Sequence, residues 1–165
     1  MSETSNYLTK AAVLEQMPEH PAVVALAALG DAFVDAKFDR GELTLTVKPE
    51  AIVAAGRAVQ AAGYNAFQTV TAVDWFPSSP RFQLSYHILS HQFKEIIRLC
   101  TRVEESEASV ESMTAVWPGA NYYEREVFDL FGIRFEGHPN LRRILMPEEW
   151  EGHPLRKDYP VEGYR

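Results

Sequence analysis

The chain has 165 residues, of which 46% are apolar, a formal net charge of -7 and a pI near 5.2. That length suits one domain with a real core, and the acidic balance excludes a basic nucleic-acid-binding face. A single cysteine, Cys100, excludes an intrachain disulfide and a cysteine-held iron–sulfur cluster, and it suits a reducing compartment.

In chain order, residues from about Leu8 to Gly30 read as helix in two pieces, broken at Pro18 and Pro21, with Gly30 as the closing cap. A hairpin follows. Phe33, Asp35, Lys37 and Asp39 alternate with Val34, Ala36 and Phe38, Asp39-Arg40-Gly41 turns, and LTLTV returns. Pro49 opens a helix that Gly63 closes. Phe67 to Asp74 and Phe82 to Leu89 form a longer hairpin around Pro77-Ser78-Ser79-Pro80. Lys94 to Glu104 reads as another strand, with Ile97, Leu99, Thr101 and Val103 on one face and Ile96, Arg98, Cys100 and Arg102 on the other. A short helix is expected near Ser109–Thr114, and a longer one over Ala120–Phe131.

Hairpins mixed with single helices imply an α+β fold: a mixed or antiparallel sheet of about five strands with helices on one face. Repeated βαβ units of a nucleotide fold are absent. Residues 1–132 are read as this domain and 133–165 as an extended Gly/Pro-rich docking tail. The opening MSETSNYLTK lacks the pattern of a signal peptide, and no apolar run approaches ~20 residues. Membrane association is therefore expected only through another protein.

On the last helix, Ala120, Tyr123, Val127, Leu130 and Phe131 share one face. Arg125 and Asp129 fall opposite and are expected to pair weakly across four residues. Glu124 lies between Phe128 and Phe131 on the helical wheel. If covered, its carboxylate needs a cation or several hydrogen bonds, and Arg142 and Arg143 are the candidate partners. The alternative is that it reaches solvent at the edge of the stripe.

The tail carries one phrase twice, Glu136-Gly137-His138-Pro139 and Glu151-Gly152-His153-Pro154, each followed by Leu-Arg. The glycines allow positive φ and the prolines hold the chain extended. From His138 onward five basic residues balance five acidic ones, which suits ion pairing. Leu141, Ile144, Leu145, Met146, Trp150, Leu155 and Tyr159 are too apolar for a disordered segment. Glu124, Glu126, Asp129, His138 and His153 have the chemistry of iron, zinc or manganese ligands, but Glu-x-x-His and His-Glu-x-x-His spacings are absent. His87 and His91 sit too far apart along a strand to share an ion. No nucleophile elbow or phosphate loop occurs, and Cys100 reads as a buried structural thiol.

Glu124-Arg125-Glu126, Asp129-Leu130-Phe131, His138, Arg142 and Ile144, followed by Glu151-Gly152-His153-Pro154-Leu155-Arg156-Lys157-Asp158-Tyr159-Pro160, resemble the 30 kDa subunit family of respiratory complex I, the proton-translocating NADH:quinone oxidoreductase. The resemblance covers about a quarter of the chain. It implies a peripheral subunit on the cytoplasmic side of a cell inner membrane. Such a subunit braces the hydrogenase-like subunit and neighbouring Fe-S subunits while electrons pass from NADH through FMN and Fe-S clusters to quinone. It implies no cofactor, metal or catalytic residue on this chain, because FMN, clusters and quinone belong to other subunits. Glu124, Arg125, Glu126, Asp129, His138, Arg142, Arg143, His153, Arg156, Lys157 and Asp158 are expected to contact a partner or order the segment. Relatives with a longer tail wrap their neighbour, so this tail is expected to wrap little. Two alternatives stand: the equivalent scaffold of a membrane-bound hydrogenase or formate hydrogenlyase-type complex, and a free-standing metal enzyme using Glu124, Glu126, His138 and His153.

Overall fold

A computed structural model describes residues 8–163. Among these residues four α-helices, α1 (Lys10–Gln16), α2 (Pro21–Ala27), α3 (Ile52–Ala61) and α4 (Ala120–Phe131), accompany seven strands: β1 (Phe33–Asp39), β2 (Glu42–Val47), β3 (Ala66–Asp74), β4 (Phe82–Ser90), β5 (Glu95–Val103), β6 (Ser109–Glu111) and β7 (Arg134–Glu136). The first five strands form one sheet in the order β1-β2-β5-β4-β3. It is mixed: β2 runs parallel to β5, and every other pair is antiparallel. The fold is thus α+β, as read from the sequence.

The core follows from the two-residue period of the strands. Leu43, Leu45 and Val47 on β2, Leu84, Tyr86 and Ile88 on β4, and Ile97, Leu99 and Val103 on β5 are buried with Val13, Val23, Leu26, Ile52, Ala55 and Val59 from the helices. α2 packs on α3, while α4 lies against the edge strand β3. Cys100 is buried, its thiol 3.4 Å from the Ser85 hydroxyl, and burial raises its pKa. Among the described residues no helix is long and apolar enough to cross a membrane.

Three expectations are corrected. α2 stops at Ala27 with Ala28 as its cap, and Gly30 (φ +59°) instead opens a short 3-10 turn into β1. The strict alternation expected on β1 breaks at a register shift between Phe33 and Asp35, so Phe33 and Ala36 are buried and Asp35 is not. Ser109–Thr114 is no helix. Residues Ser109–Glu111 form β6, parallel to β7, and Ser112 then caps a 3-10 turn through Ala115. The available edge of β7 decides this, because a paired strand satisfies backbone groups that one isolated helical turn leaves open.

Candidate functional site

α4 ends at Gly132, whose φ of +74° is the left-handed geometry that closes helices. A helix end leaves four carbonyls without partners. Here all four are satisfied, three of them by the tail. Phe128 O accepts from Gly132 N at 2.9 Å. Asp129 O accepts from His153 Nδ1 at 2.9 Å and Arg143 Nη1 at 3.1 Å. Leu130 O accepts from Leu155 N at 3.1 Å, and Phe131 O from Arg156 Nε at 2.6 Å. Arg143 and Arg156 also set positive charge at the negative pole of the helix dipole. The approach is close enough to exclude any side chain at Gly132: a Cβ there would lie 2.5 Å from the His153 ring.

The Asp129 carboxylate organises the middle of the tail. It is fully buried. Oδ2 accepts from three successive backbone amides, Ile144 at 3.0 Å, Leu145 at 2.7 Å and Met146 at 2.8 Å, and Oδ1 accepts from Arg143 at 2.7 Å. Burial alone would raise its pKa, but these donors outweigh burial and hold it below the ordinary value. Arg125, also buried, donates to the carbonyls of Arg142 at 3.2 Å and Arg143 at 3.1 Å. The expected Arg125–Asp129 pair is therefore not formed. The helix face that sequence alone assigns to solvent is covered by the tail, and each side chain bonds the tail instead.

Glu124 is 0% exposed, so it does not reach solvent at the stripe's edge. Its partners are not Arg142 and Arg143 either. Oε2 accepts from the Ser112 hydroxyl and Oε1 from the Met113 amide, both at 2.6 Å, and His138 Nε2 lies 4.0 Å away. Arg143 is engaged at the other end of the helix, while the β6–β7 pairing brings Ser112 beneath Glu124. Burial, only partly offset by these donors, pushes the carboxyl up to about 7. His138 donates from Nε2 to Asn121 O at 3.1 Å and accepts at Nδ1 from Asn140 N at 3.0 Å.

A second clasp lies at the tip of the β3–β4 hairpin. Arg81 is buried and bonds Asp74 in a bidentate pair at 3.0 and 2.8 Å, Glu105 at 2.7 Å and Asp158 at 2.5 Å. The Lys157 amide donates to Asp74 at 2.8 Å. Asp74 is held at about 2: burial opposes this, but Arg81 and two backbone donors outweigh it. Arg156 stacks over Phe82 and lies 3.7 Å from Glu105.

The eleven residues picked from sequence thus divide. Arg125, Asp129, Arg143, His153, Arg156 and Asp158 fasten the tail to its own domain. Glu124 and His138 meet where β6, α4 and the first turn converge. Glu126 and the side chains of Arg142 and Lys157 are exposed. Sequence reasoning missed Asp74, Arg81, Glu105 and Ser112. The available signal was opposite charge at the two bases of one turn, Asp74 and Arg81. The proposed metal ligands are not assembled. His138 and His153 are bonded to backbone groups at opposite ends of α4, and no group of three or more His, Cys, Asp or Glu placed to hold a metal occurs among the described residues.

Residues 45–165 match the family described as respiratory-chain NADH dehydrogenase, 30 kDa subunit. A relative from Roseiflexus castenholzii, itself named as a subunit of NADH-quinone oxidoreductase, is 47% identical over 148 residues, covering 87% of this chain and 85% of its own. A trypsin-resistant fragment of Nqo5 superposes with a TM-score of 0.58 at 30% identity, over 61% of this chain and 83% of the fragment. A chain of an archaeal membrane-bound sulfane sulfur reductase has the same fold, with a TM-score of 0.73 at 24% identity, over 89% of this chain and 85% of its own. This chain belongs to the family of the 30 kDa subunit of respiratory-chain NADH dehydrogenase.

Proposed function

We propose that this protein is a non-catalytic peripheral-arm subunit of the proton-translocating NADH:quinone oxidoreductase. It braces the hydrogenase-like subunit at the quinone site while electrons pass from FMN and Fe-S clusters on other subunits to quinone. It sits on the cytoplasmic side of the inner membrane and is held there by its neighbours. Its chemistry is binding and orientation.

The observation that carries this reading is the outer side of the fastened tail. Inward, the tail's ions are neutralised on its own domain. Outward, it leaves Leu145 60% and Leu155 52% exposed, with Ile144, Trp150 and the side chains of Arg142 and Lys157 also reaching solvent. Apolar anchors rimmed by charge are the composition of a protein interface. The test is co-purification from detergent-solubilised membranes with Leu145→Asp and Leu155→Asp variants. Loss of the other subunits from a variant that keeps wild-type thermal stability supports the reading. Full assembly of both variants overturns it. The equivalent scaffold role in a hydrogenase or formate-oxidising complex uses the same fold, and NADH-dependent quinone reduction by the purified assembly separates the two.

A further inference from the structure

Glu124 is a fully buried carboxylate whose one partner at ion-pair distance among the described residues is an imidazole, itself completely shielded from solvent. The His138 ring holds two segments together. Asn140 N–H can only donate, so Nδ1 is the bare nitrogen and Nε2 carries the proton given to Asn121 O. That single Nε2–H is bonded to Asn121 O at 3.1 Å, and Glu124 Oε2 lies 4.0 Å away, beyond hydrogen-bond distance but close enough for a small ring movement to reach it.

We propose that Glu124 and His138 form a proton-responsive joint that sets how tightly the first Glu-Gly-His-Pro turn is held to α4. With Glu124 neutral, its O–H donates to Ser112 Oγ, whose own hydrogen turns to Thr114 Oγ1 at 2.7 Å. Nε2–H then stays on Asn121 O and the Asn140 bond holds. With Glu124 ionised, the Ser112 hydroxyl turns back to the carboxylate, and the buried charge draws Nε2–H across. The ring cannot serve both acceptors, so Nδ1 leaves Asn140 N and the turn loosens. The polar groups facing Glu124 are Ser112 and the Met113 amide from the segment after β6, Tyr86 from β4, and His138. From β3 the inward side chains are Val70 and Ala72, with Asp74 bonded to Arg81. From β7 Phe135 is buried, and Arg134 and Glu136 are exposed. No Lys or Arg among the described residues lies within ion-pair distance of Glu124, so its charge changes near neutrality, where burial has set it.

The test is NMR on the full chain from about pH 5.5 to 8.5, following the Glu124 side-chain carboxyl carbon, the His138 ring and exchange at the Asn140 amide. The expected result is that all three change together, with Asn140 exchange, corrected for its intrinsic rate, speeding about tenfold as the carboxyl ionises. Glu124→Gln is expected to flatten the His138 and Asn140 responses. If that variant fails to fold, the wild-type carboxyl and amide alone decide. An Asn140 amide that stays protected while Glu124 titrates, or one that follows pH unchanged in Glu124→Gln, overturns the proposal.

Discussion

Replacing Asp129 with Ala tests whether the tail is fastened by its own domain. The substitution removes one acceptor from three amides and one cation, at 2.7 to 3.0 Å. Hydrogen bonds to a charged group contribute about 1.5–3 kcal/mol each, so a naive sum over four exceeds the usual range of single-site effects. The sum fails because the amides belong to residues that open toward water. Ile144 and Leu145 are partly exposed, so water replaces part of what is lost. Arg143 is 15% exposed and keeps its carbonyl partners on Trp150 and Gly152. The remaining cost is that of breaking a buried charge pair from one side, about 3–5 kcal/mol.

Urea unfolding at pH 7 measures the total, and amide exchange at Ile144, Leu145 and Met146 locates it. Asp129→Asn, which keeps an acceptor oxygen but loses the charge, is expected to fall between Ala and wild type. A role confined to a partner interface predicts the opposite pattern: the isolated protein keeps its stability and only assembly fails. A loss below about 1 kcal/mol in the Ala variant, with those three amides unchanged, refutes the internal clasp.

Stability is expected to depend on pH with opposite signs at two carboxylates. Glu124 is raised in the folded state, so the stability it contributes is complete below its unfolded value of 4.5 and is lost as pH rises through about 7, at a cost on the order of 3 kcal/mol that Glu124→Gln removes. Asp74 is depressed, so its contribution is present above 3.8 and is lost as pH falls toward about 2; acid unfolding of wild type and Asp74→Asn measures it. Asp158 shares Arg81 with Asp74 but is 45% exposed, so Asp158→Ala is expected to lower stability by less than about 1 kcal/mol, while Asp74→Ala lowers it by about 3–5 kcal/mol in chemical denaturation. His138→Ala and His153→Ala remove bonds at carbonyls eight residues apart, and their losses are expected to add within about 0.5 kcal/mol in a double-mutant cycle.

The sheet was legible because each strand carries its own period and each hairpin its own turn residues. The parallel β6–β7 pair was not, because three residues hold no periodic signal and their partner lies past a whole helix. Eight of the residues that hold the tail and its first turn were legible in the sequence, but their contacts were not, and Asp74, Arg81, Glu105 and Ser112 were missed. Helix geometry correctly placed Arg125 and Asp129 on one side of α4. It could not say that the chain would return and cover that side. Likewise the wheel put Glu124 at the edge of the apolar stripe, but its donors, Ser112 and the Met113 amide, come from a segment that reads locally as helix. Gly137 and Gly152 were readable because positive φ is a local demand, and they take φ of +76° and +77°.

On the proposed reading, the two repeated phrases explain how one segment can serve both the fold and a partner. Gly137 and Gly152 turn the chain so that the following histidine reaches a carbonyl of α4, one near its start and one in its last turn. Asp129 and Arg143 hold the stretch between them, so the tail is tied at both ends and in the middle. A free tail of this composition would lose about 0.5–1.5 kcal/mol for each rotamer-rich side chain ordered on binding. Here much of that ordering is completed when the domain folds, driven by carbonyls that the helix end must satisfy in any case. On the proposed reading, the partner then meets a surface whose backbone is already fixed. For the proposed brace, rigidity of this kind matters more than affinity, because electron transfer in such an assembly would depend on positions being kept.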